Sequence, residues 1–306
     1  MGTFIVRRLL QTIPVLLGVI TVTFVLMRVV PGDPVDKFAG QRISDEMRTR
    51  LRAQWHLDDP ALVQFGYYLK GLLFLDFGDS WFHNQTVRQR VFSSFLKTCK
   101  LAAAAMLFAI VLGVGAGIVS SVFKDSIVDR IAIILALLGI STPVFWFGMI
   151  LIIVMARLGW TALSGDFGLE YLILPAITLG ARSVAYLARM TRASMLEVLR
   201  MDYLTTARAK GLREHIVIVK HAMKNALIPI VTVIGLDFAS YLNGAVLTEK
   251  VFAYPGLGLT VVNSILERDL PVVMGSVILM TIVFVLMNLI VDLIYGLLDP
   301  RIRIGG

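Results

Sequence analysis

The sequence predicts an all-α membrane protein, and three observations predict it. Of 306 residues, 57% are hydrophobic and 16% are charged, whereas a soluble globular chain holds about 45–50% apolar and about 25% charged residues. Six long apolar runs follow one another along the chain. Lys and Arg are distributed unevenly among the segments that join them. The mean hydropathy of +0.81 excludes a disordered chain and most soluble enzymes. A formal net charge of +8 fits basic cytoplasmic loops and needs no nucleic acid partner. The lone Cys99 leaves no disulfide framework and no cysteine-rich metal cluster.

A spanning helix needs about 20 largely apolar residues. The first run, 9–30, follows Arg7-Arg8 and is broken only by Arg28. It exceeds a signal h-region and no small-residue cleavage site follows, so it is read as a retained helix. The second, 101–123, is free of charge, and Gly113 and Gly117 in it form the G-x-x-x-G spacing of close helix packing. The third, 131–156, is read as one span kinked at Pro143, with Ser141 and Thr142 supplying hydroxyls to the freed backbone. The fourth, 171–188, is interrupted by Arg182, which is expected to snorkel or to line the inner mouth. The fifth, 225–248, carries Asp237, and the sixth, 271–291, continues past Asp292 toward Leu298.

Orientation follows from the basic residues of the short loops. With the N-terminus inside, the inner segments hold Arg7, Arg8, Lys124, Arg130, Arg301, Arg303 and the basic residues of 189–224. The short outer loops hold only Arg157, Lys250 and Arg268. Both termini are therefore placed in the cytoplasm. The segmentation expected is 1–30, the first helix; 31–98, an external helical segment; 99–298, the core with an inner loop at 189–224; and 299–306, a tail.

Segment 31–98 begins with the turn Pro31-Gly32-Asp33-Pro34. A helix is expected from Ser44 to about Leu57, with Asp45 and Glu46 in its first turn. A second starts at Pro60, apolar through Phe65, Tyr68, Leu69 and Leu72, and Asp76 to Ser80 reads as a turn. This is a small helical domain, either a docking surface for an outside partner or a cap on the bundle. His56 and His83 lack a ligand spacing, so no metal site is expected.

Loop 189–224 is the most informative. Met195, Leu199, Tyr203 and Ala207 recur every four residues, Gly211 stands where a left-handed cap ends a helix, and Ile216, Val219, Met223 and Leu227 form a second stripe. Two short amphipathic helices joined at a glycine form either a knob for a groove on a cytoplasmic protein or an interfacial pair held by anionic lipid. In the fifth span Asp237 shares a face with Ser240, Tyr241, Gly244 and Thr248. That stripe either lines a translocation path or bonds neighbouring helices.

The run Asp202 to Leu212, followed by His221 to Pro229, resembles the "EAA" coupling loop of type I ABC importer permeases, in the form of the dipeptide/oligopeptide/nickel family. Pro31-Gly32-Asp33-Pro34, Asp76-Phe77-Gly78, Pro255-Gly256-Leu257-Gly258, Arg268-Asp269-Leu270-Pro271-Val272 and Asp299-Pro300-Arg301-Ile302-Arg303 extend the resemblance along nearly the whole chain. The long first external segment is similar to the B-type permease of such pairs. Thr205, Thr206 and Lys224 replace the acid, second alanine and proline of the general pattern, as is common in the peptide branch, so the assignment rests on Ala207, Gly211 and their neighbours.

The resemblance implies a non-catalytic permease of a peptide importer. Nickel chelate, haem, glutathione and opine-like solutes remain alternatives within the family. It implies a C-type permease, two cytoplasmic ATPase subunits that use ATP and Mg, and an external substrate-binding protein. The surface gripping an ATPase would be Asp202, Tyr203, Thr206, Ala207, Arg208, Ala209, Lys210, Gly211 and Leu212. No G-x-x-x-x-G-K-[ST] phosphate loop and no H-E-x-x-H occur in the chain, so no cofactor is expected on it. The competing class is an ion-coupled secondary transporter, which the basic inner loop and the lack of inverted-repeat cues disfavour.

Overall fold

The computed structural model describes residues 2–29, 32–39, 44–73, 76–165, 168–242 and 245–298. The described residues are predominantly helical. Helix α1 is Gly2–Val29, α2 Pro34–Ala39, α3 Asp45–Gln54 and α4 Ala61–Leu73. Helix α5, Val87–Ala109, runs through a π-turn at Ile110–Val114 into α6, Gly115–Val122. Then come α7 Ile127–Ser141, α8 Val144–Arg157, α9 Glu170–Val198, α10 Asp202–Ala209 and the single turn α11 Glu214–Ile216. A second π-turn, Val217–Ala222, leads to α12 Met223–Leu242, α13 Val246–Val251, α14 Leu257–Glu267 and α15 Leu270–Leu298. The extended backbone among the described residues includes one isolated antiparallel bridge, between Asp79 and Thr86.

Three described helices are long and apolar enough to cross a membrane: Val87–Val122, Glu170–Val198 and Leu270–Val291. Two bent pairs raise the number to five if each is one span: Ile127–Ser141 with Val144–Arg157, and Glu214–Leu227 with Pro229–Leu242, bent by 108° and 55°. Within α1 the apolar helix Ile13–Leu26 is shorter.

The third apolar run is not the kinked rod expected from sequence. Thr142 and Pro143 are both extended, with ψ of 125° and 129°, because proline disfavours the helical conformation in the residue before it. Two extended residues in succession turn a kink into a break. Thr142 Oγ1 donates to the Leu138 carbonyl at 2.7 Å, an oxygen that already accepts from Thr142 N, so this hydroxyl does not serve the Gly139 carbonyl whose i+4 donor Pro143 removes.

The chain divides into two compact units. One comprises Met1–Lys97 and Pro255–Val285, the other Thr98–Tyr254 and Leu286–Gly306. In the first, Ile20 and Phe24 of α1 pack with Met274 and Ile278 of α15, and Phe65, Tyr68 and Leu69 of α4 lie against them as their apolar spacing predicts. Leu72 lies outside the described side chains. Ser44 caps α3, its hydroxyl accepting from Met47 N at 3.3 Å. In the last turn of α3, Arg52 pairs with both Asp33 and Asp58, and its guanidinium holds the Asp58 carboxyl below the usual carboxylate range.

Turns that are far apart in sequence converge in this unit. Arg268, at a left-handed φ of 66°, donates to the Gly32 carbonyl at 2.5 Å. The next residue, Asp269, is fully buried and accepts from the Ser80 hydroxyl and from Trp81 N. Leu257 packs with Val87, Val91 and Val272.

In the second unit α9 is the central rod. The Gly113/Gly117 pair packs on it within the same chain. An ideal Cβ on Gly113 would lie 2.8 Å from the Val184 carbonyl oxygen, and one on Gly117 2.6 Å from that of Ala188. Ala109, Leu187, Ile230 and Val233 form a buried cluster between α5, α9 and α12.

Candidate functional site

The basic segment 189–224 folds into one small module. Helix α9 stops at Val198, residues 199–201 turn the chain, and α10 starts at Asp202. Met195 and Val198 of α9, Leu204 and Ala207 of α10, Val217 and Ala222 of the π-turn and Ala226 of α12 bury one another. The sequence stripes are therefore shifted in phase. Met195 and Ala207 are core as expected, but Leu204 replaces Tyr203, because the break after α9 resets the helical phase. Val217 and Ala222 replace Ile216 and Val219, and Val219 is 59% exposed. A π-turn carries an extra residue per turn, so inward positions there fall five apart and not four.

Gly211 has a φ of +77° and follows the last turn of α10, its N–H donating to the Arg208 carbonyl at 2.9 Å. No atom lies within 4 Å of the place its Cβ would occupy, so backbone conformation, not space, is the constraint. The link between the helices is braced by side chains. Arg208 Nη2 meets Glu214 Oε1 at 2.9 Å and Arg208 Nε meets Oε2 at 3.1 Å. Tyr203 OH donates to the His221 carbonyl and accepts from Asn225 Nδ2. Among the nine residues expected to face a partner, Ala207 is buried and the other eight are exposed. The module thus presents a polar outer face on a rigid apolar core.

A second feature lies between α9 and α12. A cavity of about 440 Å³ is lined by Arg182, Ser183, Tyr186, Asp237, Ser240 and Tyr241 with apolar neighbours. Tyr241 OH donates to Ser183 Oγ at 2.6 Å, and Ser183 Oγ donates to Asp237 Oδ2 at 2.5 Å. Asp237, Ser240 and Tyr241 are thus brought together. Thr248 is buried on α13 and is absent from the lining. Gly244 lies outside the described residues. The structure adds Arg182 to the same wall, which places opposite charges on one cavity.

The sequence reading missed Asp129. It is 1% exposed and sits in the first turn of α7. Arg192 of α9 grips it with two bonds, Nε to Oδ1 and Nη2 to Oδ2, both 2.7 Å. Ser120 Oγ of α6 and Asp125 N of the α6–α7 turn also donate to it. The only signal in the sequence was an acid beside the charge-free second and third runs.

Long apolar helices, a charged cavity between two of them and a rigid polar module define a multi-pass membrane transport component. The chain belongs to the binding-protein-dependent transport system inner membrane component family, which matches residues 109–304. The N-terminal component, "Binding-prot-dependent transport system membrane comp, N-term", matches residues 1–102. The dipeptide transport system permease protein DppB of Alkalihalophilus pseudofirmus is 40% identical over 332 residues, covering 99% of this chain and 100% of the relative. The glutathione transport system permease protein GsiC of Escherichia coli K12 is 40% identical over 304 residues, covering 99% of each. Among solved structures, the inward-facing MetNI methionine ABC transporter matches 68% of this chain and 97% of that chain at a TM-score of 0.53 and 17% identity, a likeness of fold.

Proposed function

We propose that this chain is the B-type permease subunit of an ATP-driven importer for short peptides in the cytoplasmic membrane. The observation that carries the proposal is the module at 195–226: an exposed polar helix, α10, ended by a left-handed glycine and mounted on a buried core that is continuous with α9 and α12. A rigid knob of this kind fits a groove on a cytoplasmic motor subunit. The relatives support the cargo. One is named for dipeptides and another, at the same identity, for glutathione, which is itself a tripeptide. Arg182 and Asp237 on one cavity wall suit a zwitterion with a carboxylate and an ammonium group.

In this reading six spans cross the bilayer: α1, α5–α6, the broken pair α7–α8, α9, α12 and α15. Both termini and the 189–224 module face the cytoplasm, and segment 31–98 faces outward, where an external binding protein docks. A C-type permease completes the path, with Asp237, Ser240 and Tyr241 lining this subunit's share of it. Two ATPase subunits bind ATP and Mg. Their closure moves α10 as a rigid body and rocks the bundle between inward and outward access.

The test is co-purification and reconstitution. Lys210→Cys in a Cys99→Ala background is expected to cross-link to an ATPase subunit, and uptake in proteoliposomes to require ATP. Uptake of peptide by this chain alone, driven by a proton gradient, would overturn the proposal in favour of a secondary transporter.

A further inference from the structure

The Asp129 site is used by none of the steps above, and both of its carboxylate oxygens are bonded. Its two oxygens take donors from α6, from the α6–α7 turn and from α9. A fork-to-carboxylate pair fixes orientation as well as distance, which a single point contact does not. Arg192 lies in the last two turns of α9, directly before Met195 and Val198, which enter the core of the coupling module. On the other side, α6 is held against the same stretch of α9 by Gly117, whose missing Cβ leaves the Ala188 carbonyl and Thr191 in direct contact with its backbone. The polar clamp and the glycine contact sit within one turn of each other on α9.

A push on α10 reaches α9 through the chain turn at 199–201, but α6 and α7 have no covalent route to it that is comparably short. We propose that Asp129 and Arg192 are positioning residues for coupling: their bidentate pair makes the α6–α7 turn, the end of α9 and the coupling module move as one body, so that the motor's stroke reaches the second and third spans. This rests on the reading of α10 as the ATPase contact.

Two measurements on the reconstituted complex test it. The first leaves the pair intact. Spin labels at Lys124→Cys and Glu197→Cys, both exposed, in a Cys99→Ala background are expected to keep one separation with and without ATP. A separation that changes with nucleotide overturns the inference. The second uses Asp129→Asn, which keeps the shape of the side chain and removes its charge. Peptide imported per ATP hydrolysed is expected to fall about five-fold or more, and the label separation to become nucleotide-dependent, while the Lys210→Cys cross-link to the ATPase persists. Arg192→Lys, which keeps the charge and loses the fork, is expected to give an intermediate ratio; it replaces Asp129→Asn as the deciding variant if that chain does not assemble. With the cross-link formed and the ratio unchanged, the inference falls and the proposed function stands. With no cross-link in the otherwise native complex, the proposed function itself falls.

Discussion

At Gly211 the φ of +77° is one that a side chain opposes by about 1–2 kcal/mol in L-residues generally, and most strongly when branched at Cβ. Gly211→Val is therefore expected to leave the bundle folded and inserted but to twist the link between α10 and the π-turn. Uptake per ATP in proteoliposomes should fall by roughly ten-fold, the effect of a coupling loss of about 1.4 kcal/mol, with membrane yield near that of the native chain. Transport at the native rate would count against the role given to this residue. Asp237 poses a different question at the same scale. Its Oδ2 is already taken by Ser183, yet it borders a cavity. In a Cys99→Ala background, Asp237→Cys is expected to react with a soluble thiol reagent in at least one nucleotide state. Protection in every state would assign the carboxylate to helix bonding alone. Gly211 was legible because a left-handed cap is a property of one residue and its nearest neighbours. Asp129 was not, because its partner Arg192 is distant in sequence and only the crossing of α7 with α9 brings them together.

Among elements, the crossing of the first π-turn and α6 on α9 depends on two missing methyl groups. Gly113→Ala and Gly117→Ala would set a Cβ 2.8 and 2.6 Å from backbone oxygens of α9, closer than carbon and oxygen pack, and overpacking of this kind costs about 1–3 kcal/mol. Gly115 lies between them with no atom within 4 Å of its Cβ position. Gly115→Ala is thus expected to raise helix stability slightly, while Gly117→Ala lowers the thermal midpoint of the detergent-solubilised complex by several degrees. Equal midpoints for the two variants would contradict the packing described. The G-x-x-x-G spacing announced a close contact but not its partner. The stripes of the 189–224 module show the limit of periodicity from the other side. Counting by fours assumes an unbroken α-helix, and both the break at 199–201 and the π-turn at Val217–Ala222 violate that assumption, so Leu204 and Val217 became core in place of Tyr203 and Ile216.

For the whole molecule, the proposed importer makes a global prediction: removing ATP should abolish uptake by the assembled complex, while this chain alone transports nothing under an ion gradient. The membrane class was largely legible in the sequence, since a membrane span is a matter of composition over about 20 neighbouring residues. Composition alone therefore determined the membrane class, and local residues such as Ala207 and Gly211 marked the segment that folds into the 189–224 module. Tertiary structure decided what depends on residues distant along the chain. It broke the third run by 108° at Thr142-Pro143, joined Arg268 to Gly32 and Asp269 to Ser80, set Arg182 on the cavity wall with Asp237 and closed Arg192 on Asp129. Hydropathy and periodicity report each residue's preference for solvent, whereas pairing depends on the angle and offset at which helices cross, and those are set by the packing of all of them at once.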